Sequence, residues 1–255
     1  METAVVFVLG AVIGSFLNVC IYRLPLGRSI VTPRSHCPFC ESPIGWFDNI
    51  PLISYIVLLG KCRKCGRPIP VRYFLVELAS ALSGVALLAF FSPGPVFLAY
   101  WLFTLILITI VGIDIEHQEI PDILTIPGMC LGVVLMTALR LDGSASRVSS
   151  LLNSFLGLAA GGGSMFLMGV AGELIFKKQA LGGGDVKLMA MIGAFIGWKL
   201  VLLAFFMAPV LGAGVGLFMK IRFRRDVIAY GPYLSLAAFI SLICGERIIN
   251  YLFWF

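Results

Sequence analysis

Val96-Phe-Leu-Ala-Tyr-Trp-Leu-Phe-Thr-Leu-Ile-Leu-Ile-Thr-Ile-Val-Gly-Ile113 is an uncharged apolar run, and it ends on Asp114 in Gly-Ile-Asp-Ile-Glu-His-Gln-Glu-Ile-Pro-Asp (112–122). A helix needs about 17–25 such residues to span a bilayer. A carboxylate near hydrocarbon costs on the order of 2.5–3.5 kcal/mol at mid-membrane by insertion scales, so an acid kept there usually has a task. A second acid is placed the same way. Asp185 closes Leu-Gly-Gly-Gly-Asp (181–185) and leads into another apolar stretch. Each stands beside backbone-loosening residues, Pro121 in one case and Gly182 to Gly184 in the other. Asp114 and Asp185 are therefore candidate catalytic residues, able to meet as an acid/base pair.

The rest of the chain extends the membrane reading. Of its 255 residues 60% are hydrophobic and only 13% charged, with a mean hydropathy of +1.01; a soluble domain carries about 25% charged residues. Eight spans are expected, at 4–22, 73–91, 96–113, 123–140, 151–176, 186–198, 199–219 and 232–250. The fold class is thus an all-α polytopic membrane protein. The sixth span is short, and is tilted, broken or fused with the seventh through Gly197-Trp198-Lys199. The first run has no basic residue before it and no small-x-small pattern after it, so it reads as a retained span rather than a secretory signal. Small-xxx-small pairs (Gly10/Gly14, Gly128/Gly132, Gly157/Gly161, Gly193/Gly197, Gly212/Gly216) predict close helix packing and say nothing about chemistry.

Charge sets the orientation. Of 19 basic residues, 15 fall in alternate loops: Arg23, Arg28, Arg34, Lys61, Arg63, Lys64, Arg67 and Arg72, then Lys177, Lys178 and Lys187, then Lys220, Arg222, Arg224 and Arg225. Basic loops stay in the cytoplasm, which puts the 23–72 loop, Asp114 and Asp185 on that side and both termini outside. The net charge of +6 is then a topological signal and not a sign of nucleic-acid binding.

Cys37-Pro-Phe-Cys40 and Cys62-Arg-Lys-Cys65 form two C-x-x-C knuckles in the large loop. Two knuckles supply four thiolates, the tetrahedral set of a structural Zn²⁺. A closed site of this kind leaves no position for water, so the metal would fold the loop rather than catalyse. Redox dithiols and unpaired structural cysteines are the alternatives, and a cytoplasmic loop disfavours disulfides. Between the knuckles, Ile44 to Gly60 is largely apolar and reads as a small core or as a segment lying on the membrane.

Two adjacent carboxylates resist double ionisation and hold one proton between them, so one can take a proton from water while the other polarises a carbonyl. Such a pair hydrolyses a peptide bond with no Ser or Cys nucleophile. The Asp-Thr/Ser-Gly signature of soluble aspartic proteases is absent, which excludes a pepsin-like fold. Glu116, Glu119, Asp122 and His117 share the first acidic loop, and Asp122 after Pro121 could cap the next helix. Glu77 and Glu173 read as packing partners for basic residues, or as lining for a substrate path. Intramembrane acids also serve proton or cation transport, so a transporter with a structural zinc loop remains an alternative at this point. So does a zinc-stabilised membrane methyltransferase without peptidase activity. The glycines before Asp185 lack the spacing of a phosphate-binding loop.

These pieces together resemble the bacterial type IV prepilin peptidases in their bifunctional leader peptidase/N-methyltransferase form. The resemblance is carried by Gly14-Ser-Phe-Leu-Asn-Val-Cys-Ile-Tyr-Arg-Leu-Pro25, the two knuckles, Asp114 with Pro121 seven positions on, and Gly182-x-Gly184-Asp185, all in family order. It implies a multi-pass aspartyl peptidase of the GxGD type in the bacterial inner membrane. Asp114 and Asp185 would be its catalytic aspartates, facing the cytoplasm, and Cys37, Cys40, Cys62 and Cys65 its zinc ligands. It further implies that type IV prepilins or pseudopilins are the protein substrates, cut after a short basic leader. S-adenosylmethionine would then supply the methyl group for the new N-terminal residue. Residues 1–72 would form the first helix and the methyltransferase-associated zinc-binding part, and 73–255 the peptidase core.

Overall fold

The chain runs as α1 (Glu2–Arg23), a 3-10 turn at Trp46–Asn49, α2 (Ile53–Val57), α3 (Arg72–Leu88), α4 (Pro95–His117), α5 (Asp122–Leu139), α6 (Arg147–Phe176), α7 (Gly183–Phe223) and α8 (Gly231–Phe253). This is a computed structural model that describes residues 1–177, 181–223 and 229–253; there is no β-strand among the described residues. Of the basic residues used to orient the chain, Lys178, Arg224 and Arg225 lie outside the described residues. Local chemistry sets the boundaries. Gly94 and Pro95 open α4, whose end at Gln118 is left-handed with its N–H on the Asp114 carbonyl. The side chain of Ser146 caps α6 in a reciprocal box with Ser149.

Among the described residues, six helices (α1, α4, α5, α6, α7 and α8) are long and apolar enough to cross a membrane. With 17 residues, α3 falls just short of that length. α7 contains a break at Gly197, where φ is 77° and ψ 173°, a conformation that favours glycine. The chain doubles back there. The Met189 carbonyl and Val201 Cγ2 both crowd the place a Cβ on Gly161 would take. In a straight helix twelve residues apart would lie about 18 Å from each other. The expected sixth and seventh spans are thus two arms of one broken helix. With α3 and both arms included, the described residues hold eight segments where eight spans are expected, with six helices meeting the length and hydropathy of a span.

The break is held open by α6. Trp198 N–H and the Ala194 carbonyl would bond each other in an unbroken helix. Instead Asn153 Oδ1 accepts from Trp198 N–H at 3.3 Å, and the Ser154 hydroxyl donates to the Ala194 carbonyl at 2.8 Å. Asn153 Nδ2 in turn donates to Asp142 Oδ2 at 2.8 Å, and the Ser150 hydroxyl to Asp142 Oδ1 at 2.7 Å. Burial pushes the Asp142 carboxyl up, but hydrogen bonds from Ser144, Asn153 and Ser150 outweigh it and hold the group below its ordinary range.

Helix crossings fall on the small-residue pairs. A Cβ on Gly157 would enter the Gly193 carbonyl, and one on Gly193 would enter that of Gly157, so α6 and α7 touch backbone to backbone. Gly10 and Gly14 seat α1 on Ala81 and Glu77 of α3, and Gly128 and Gly132 seat α5 on Met191 and Phe195. Lipid gives no hydrophobic drive to helix association, so such close contact is what holds the bundle. The first arm of α7 is its centre: Leu188, Met189, Met191, Ile192 and Phe195 have no exposed surface. Phe195 stacks on Phe103 at 4.6 Å between ring centroids, tying α7 to α4. Large apolar side chains are exposed on the outer faces, among them Val8, Val12 and Phe16 of α1 and Phe166 and Leu167 of α6.

The segment between the knuckles does not build a core. Trp46 and Leu59 are each 82% exposed, with Ile56 and Val57 also exposed, as suits a segment lying on a membrane surface. The loop is anchored to the bundle where Glu77 Oε2 accepts from Leu52 N–H at 2.7 Å. Glu77, which the sequence offers as a partner for a basic residue or as lining for a substrate path, takes a backbone donor and no basic side chain among the described residues, because the loop delivers Leu52 to it in a turn with φ 63°.

Candidate active site and metal centre

Asp114 lies in the last turn and a half of α4, buried at 5% exposure, and Asp185 in the first turn of α7, half-buried. The two helix ends meet around Ile120, in the short link from α4 to α5. Its Cβ would be 2.9 Å from a Cβ on Gly184, and its Cδ1 3.5 Å from one on Gly231. Gly231 N–H, at the start of α8, donates to Asp114 Oδ2 at 2.8 Å. Gly184, next to Asp185, and Gly231, bonded to Asp114, both pack on Ile120, so the two carboxylates stand at one junction. The structure therefore brings both sequence candidates into one site.

Sequence reasoning did not single out Tyr230 and Gly231. A Cβ on Gly231 would sit 2.6 Å from Asp114 Oδ2, so only glycine lets the α8 amide reach the carboxylate. The N-terminus of a helix favours negative charge. Tyr230 lies ahead of α8; burial first, and then the charge of Asp185, push its phenol up, so it stays protonated near the pair. The available signal was a Tyr-Gly-Pro triplet at the mouth of the last span, where a helix start needs no glycine.

The remaining acids are placed elsewhere. Glu116 pairs with Arg72 at the head of α3. Asp122 does not cap α5, whose N-cap position is Pro121; it binds Lys187 Nζ through both oxygens at 2.7 Å, because α7 begins alongside α5. This ion pair staples the Asp185 turn to the α5 end. Glu119, His117 and Glu173 are exposed, and Glu173 reaches no basic side chain among the described residues.

Cys37, Cys40, Cys62 and Cys65 form the second site, with all four Sγ atoms within 4.8 Å of one another. Cys37 and Cys65 Sγ are 3.9 Å apart, against about 3.8 Å for the edge of a tetrahedron with 2.3 Å Zn–S bonds. The two knuckles are built alike. Cys37 N–H donates to the Ser42 carbonyl and Glu41 N–H to that of Cys37; Cys62 N–H donates to Arg67 and Gly66 N–H to Cys62. The sequence repeats with them, as Cys-x-x-Cys-x-x-Pro-Ile at 37–44 and 62–69. Hydrogen bonds from Ser42 pull the Cys40 thiol down to about 6, and the Cys65 and Lys64 amides pull Cys62 down. Despite the Arg67 amide, burial and the neighbouring thiols raise Cys65 to about 11. The donor set fits a metal cation.

Residues 8–91 match the family described as Bacterial Peptidase A24 N-terminal domain, and residues 101–217 match the Type IV leader peptidase family. Among curated relatives, one from Myxococcus xanthus is 40% identical over 219 residues, covering 86% of this chain and 63% of the relative. One from Aeromonas hydrophila is 34% identical over 275 residues, 97% of this chain and 92% of the relative. One from Pseudomonas aeruginosa is 34% identical over 271 residues, 94% and 89% respectively. All three are named prepilin leader peptidase/N-methyltransferase. The chain thus spans less than two thirds of the Myxococcus relative and nearly all of the other two. No solved structure matches.

Proposed function

The chain belongs to the type IV leader peptidase family, and from that premise we propose that it is a membrane aspartyl endopeptidase and N-methyltransferase acting on prepilins or pseudopilins. The observation that carries the peptidase half is the meeting of Asp114 and Asp185 around Ile120, at helix ends on one face of the bundle. One carboxylate, ionised, takes a proton from water; the other, protonated, donates to the carbonyl oxygen of the scissile bond. The amine leaves with the proton relayed through the pair, and nothing covalent forms on the enzyme. Tyr230 and the Gly231 amide orient the site. The basic-loop bias supports a cytoplasmic position for this face, and the family reading a bacterial inner membrane, where a basic leader would be presented and water is at hand. The transporter alternative gains no support from the relatives.

Cys37, Cys40, Cys62 and Cys65 would hold a structural Zn²⁺, whose role is to lock the two knuckles together. S-adenosylmethionine would supply the methyl group. A cavity of about 590 Å³ between α1 and the cysteine loop carries Arg34, Ser15, Ser35 and Asn49. These donors suit the carboxylate and ribose hydroxyls of that cofactor. In the test, purified protein is incubated with a prepilin beside Asp114→Asn and Asp185→Asn, each checked for unchanged thermal unfolding. Wild type cleaves and neither variant does; retained proteolysis in a folded variant removes that residue from the mechanism.

A further inference from the structure

A trough floored by α4 and walled by α3 and α8 begins one turn from Asp114 and runs into the membrane part of the bundle. α4 packs on both neighbours, while α3 and α8 make at most a marginal contact with each other among the described residues. The space between them is about 370 Å³. From α4 it is lined by Thr104, Leu107, Ile108 and Val111. α8 contributes Pro232, Ser235, Leu236 and Phe239, and α3 contributes Ala79, Leu82, Ser83 and Ala86. Each set has the spacing i, i+3, i+4, i+7, one face of a helix over two turns. All three stripes run for about 10 Å at 1.5 Å per residue.

The upper end of the trough lies one turn below the active site. Val111 stands one turn before Asp114 on the same face of α4, and Pro232 follows Gly231, whose N–H holds the Asp114 carboxylate. Small side chains on the α3 wall, Ala79 and Ala86, leave room for a close approach, which is how helices associate in lipid. The polar groups of the lining are spent within their own helices, Thr104 on the Tyr100 carbonyl and Ser83 on that of Ser80. Ser235 is the exception. It is 4% exposed, lines the trough, and its hydroxyl has no partner. A buried hydroxyl with nothing to bond is costly and marks a place where something polar arrives.

We propose that this trough is the docking site for an apolar α-helix of the substrate, the segment on the membrane side of the scissile bond. The inference rests on the peptidase reading and adds what that reading lacks, a surface that sets the substrate's depth and register. Helix-in-groove recognition uses anchors at the spacing these three walls present. An acyl chain would fill the apolar space but would not bring an acceptor to Ser235, whereas a helix brings backbone carbonyls or a small polar side chain. Its first turn would begin level with Asp114, so the bond before it lies at the carboxylates.

The test uses the full chain in liposomes with a prepilin. A photo-crosslinking residue at Leu82 or Leu236, in an Asp114→Asn background that leaves substrate uncut, is expected to capture the substrate within the first two or three turns after the scissile bond. The same probe at Leu152, on the outer face of α6, is expected to capture lipid alone. In otherwise unaltered protein, Ala86→Phe is expected to raise KM about tenfold with little change in kcat, and Ser235→Ala to raise it about threefold; Phe166→Leu on α6 leaves both constants unchanged. Capture of lipid alone from Leu82 and Leu236, in a preparation whose wild type cleaves the prepilin, overturns the trough and leaves the peptidase reading standing. A wild type that cleaves nothing overturns the reading beneath it, and the trough falls too.

Discussion

Replacing Gly231 with alanine adds one methyl group at the most crowded point of the site. The new Cβ would stand 2.6 Å from Asp114 Oδ2 and 3.3 Å from its Cγ, nearer the oxygen than carbon and oxygen sit in ordinary contact. Either the carboxylate rotates away or α8 retreats; both break the 2.8 Å bond from the Gly231 amide. A hydrogen bond to a charged group is worth about 1.5–3 kcal/mol, which in a rate is about 10- to 150-fold. Global stability falls as well, by up to about 2 kcal/mol, because the about 1–3 kcal/mol of overpacking exceeds the about 0.4–1 kcal/mol that Gly→Ala gains in a helix where the backbone allows it. The assay is initial-rate cleavage of a prepilin in liposomes, with thermal unfolding followed in parallel. Gly163→Ala is the control, because a Cβ there meets nothing within 4 Å. Cleavage by Gly231→Ala within twofold of wild type would show that the α8 amide does not position Asp114.

Other expectations concern the elements around the site. A Cys37→Ser/Cys62→Ser double variant should lose bound zinc and expose the loop to protease, while an undiminished metal content would reject the four-thiolate site. Ser154→Val strands the buried Ala194 carbonyl and should cost about 1–3 kcal/mol; Asn153→Leu removes the partner of the exposed Trp198 amide and should cost about 0.5–1.5 kcal/mol. Both are read as a lower unfolding temperature and lower activity through a displaced first arm of α7. The depressed carboxyl of Asp142 contributes stability that is fully present above its unfolded value of about 3.9 and is lost as pH falls through the lower folded value. The difference in unfolding temperature between wild type and Asp142→Asn should therefore be constant near neutrality and close only below about pH 4. Arg34→Ala should weaken S-adenosylmethionine binding, measured by calorimetry, without touching proteolysis.

Much of this was legible from the sequence because the membrane simplifies what side chains signal. A charge in lipid is costly, so Asp114 and Asp185 stood out at the ends of apolar runs, and basic residues sorted the loops by side. Gly157 and Gly193 marked a crossing before any partner was known, since glycine at helical spacing has one common use there. The knuckles were readable because metal ligation constrains spacing locally. What could not be read depends on contacts between distant segments. Gly231 is an ordinary residue until α8 lies against Asp114. Asp122 looked like a cap because nothing near it in sequence announces Lys187. The ambiguity of the sixth and seventh spans had the same origin. Their break is written in Asn153 and Ser154, on another helix, which supply the two bonds the kinked backbone gives up. A helix broken at a glycine is affordable inside a membrane only where a neighbour satisfies the freed amide and carbonyl. The break in turn lets the first arm be short, so that Asp185 sits at its mouth instead of above the membrane. The position of one catalytic candidate is thus set by polar residues at the far end of the helix that carries it, and neither end explains the other until both are folded.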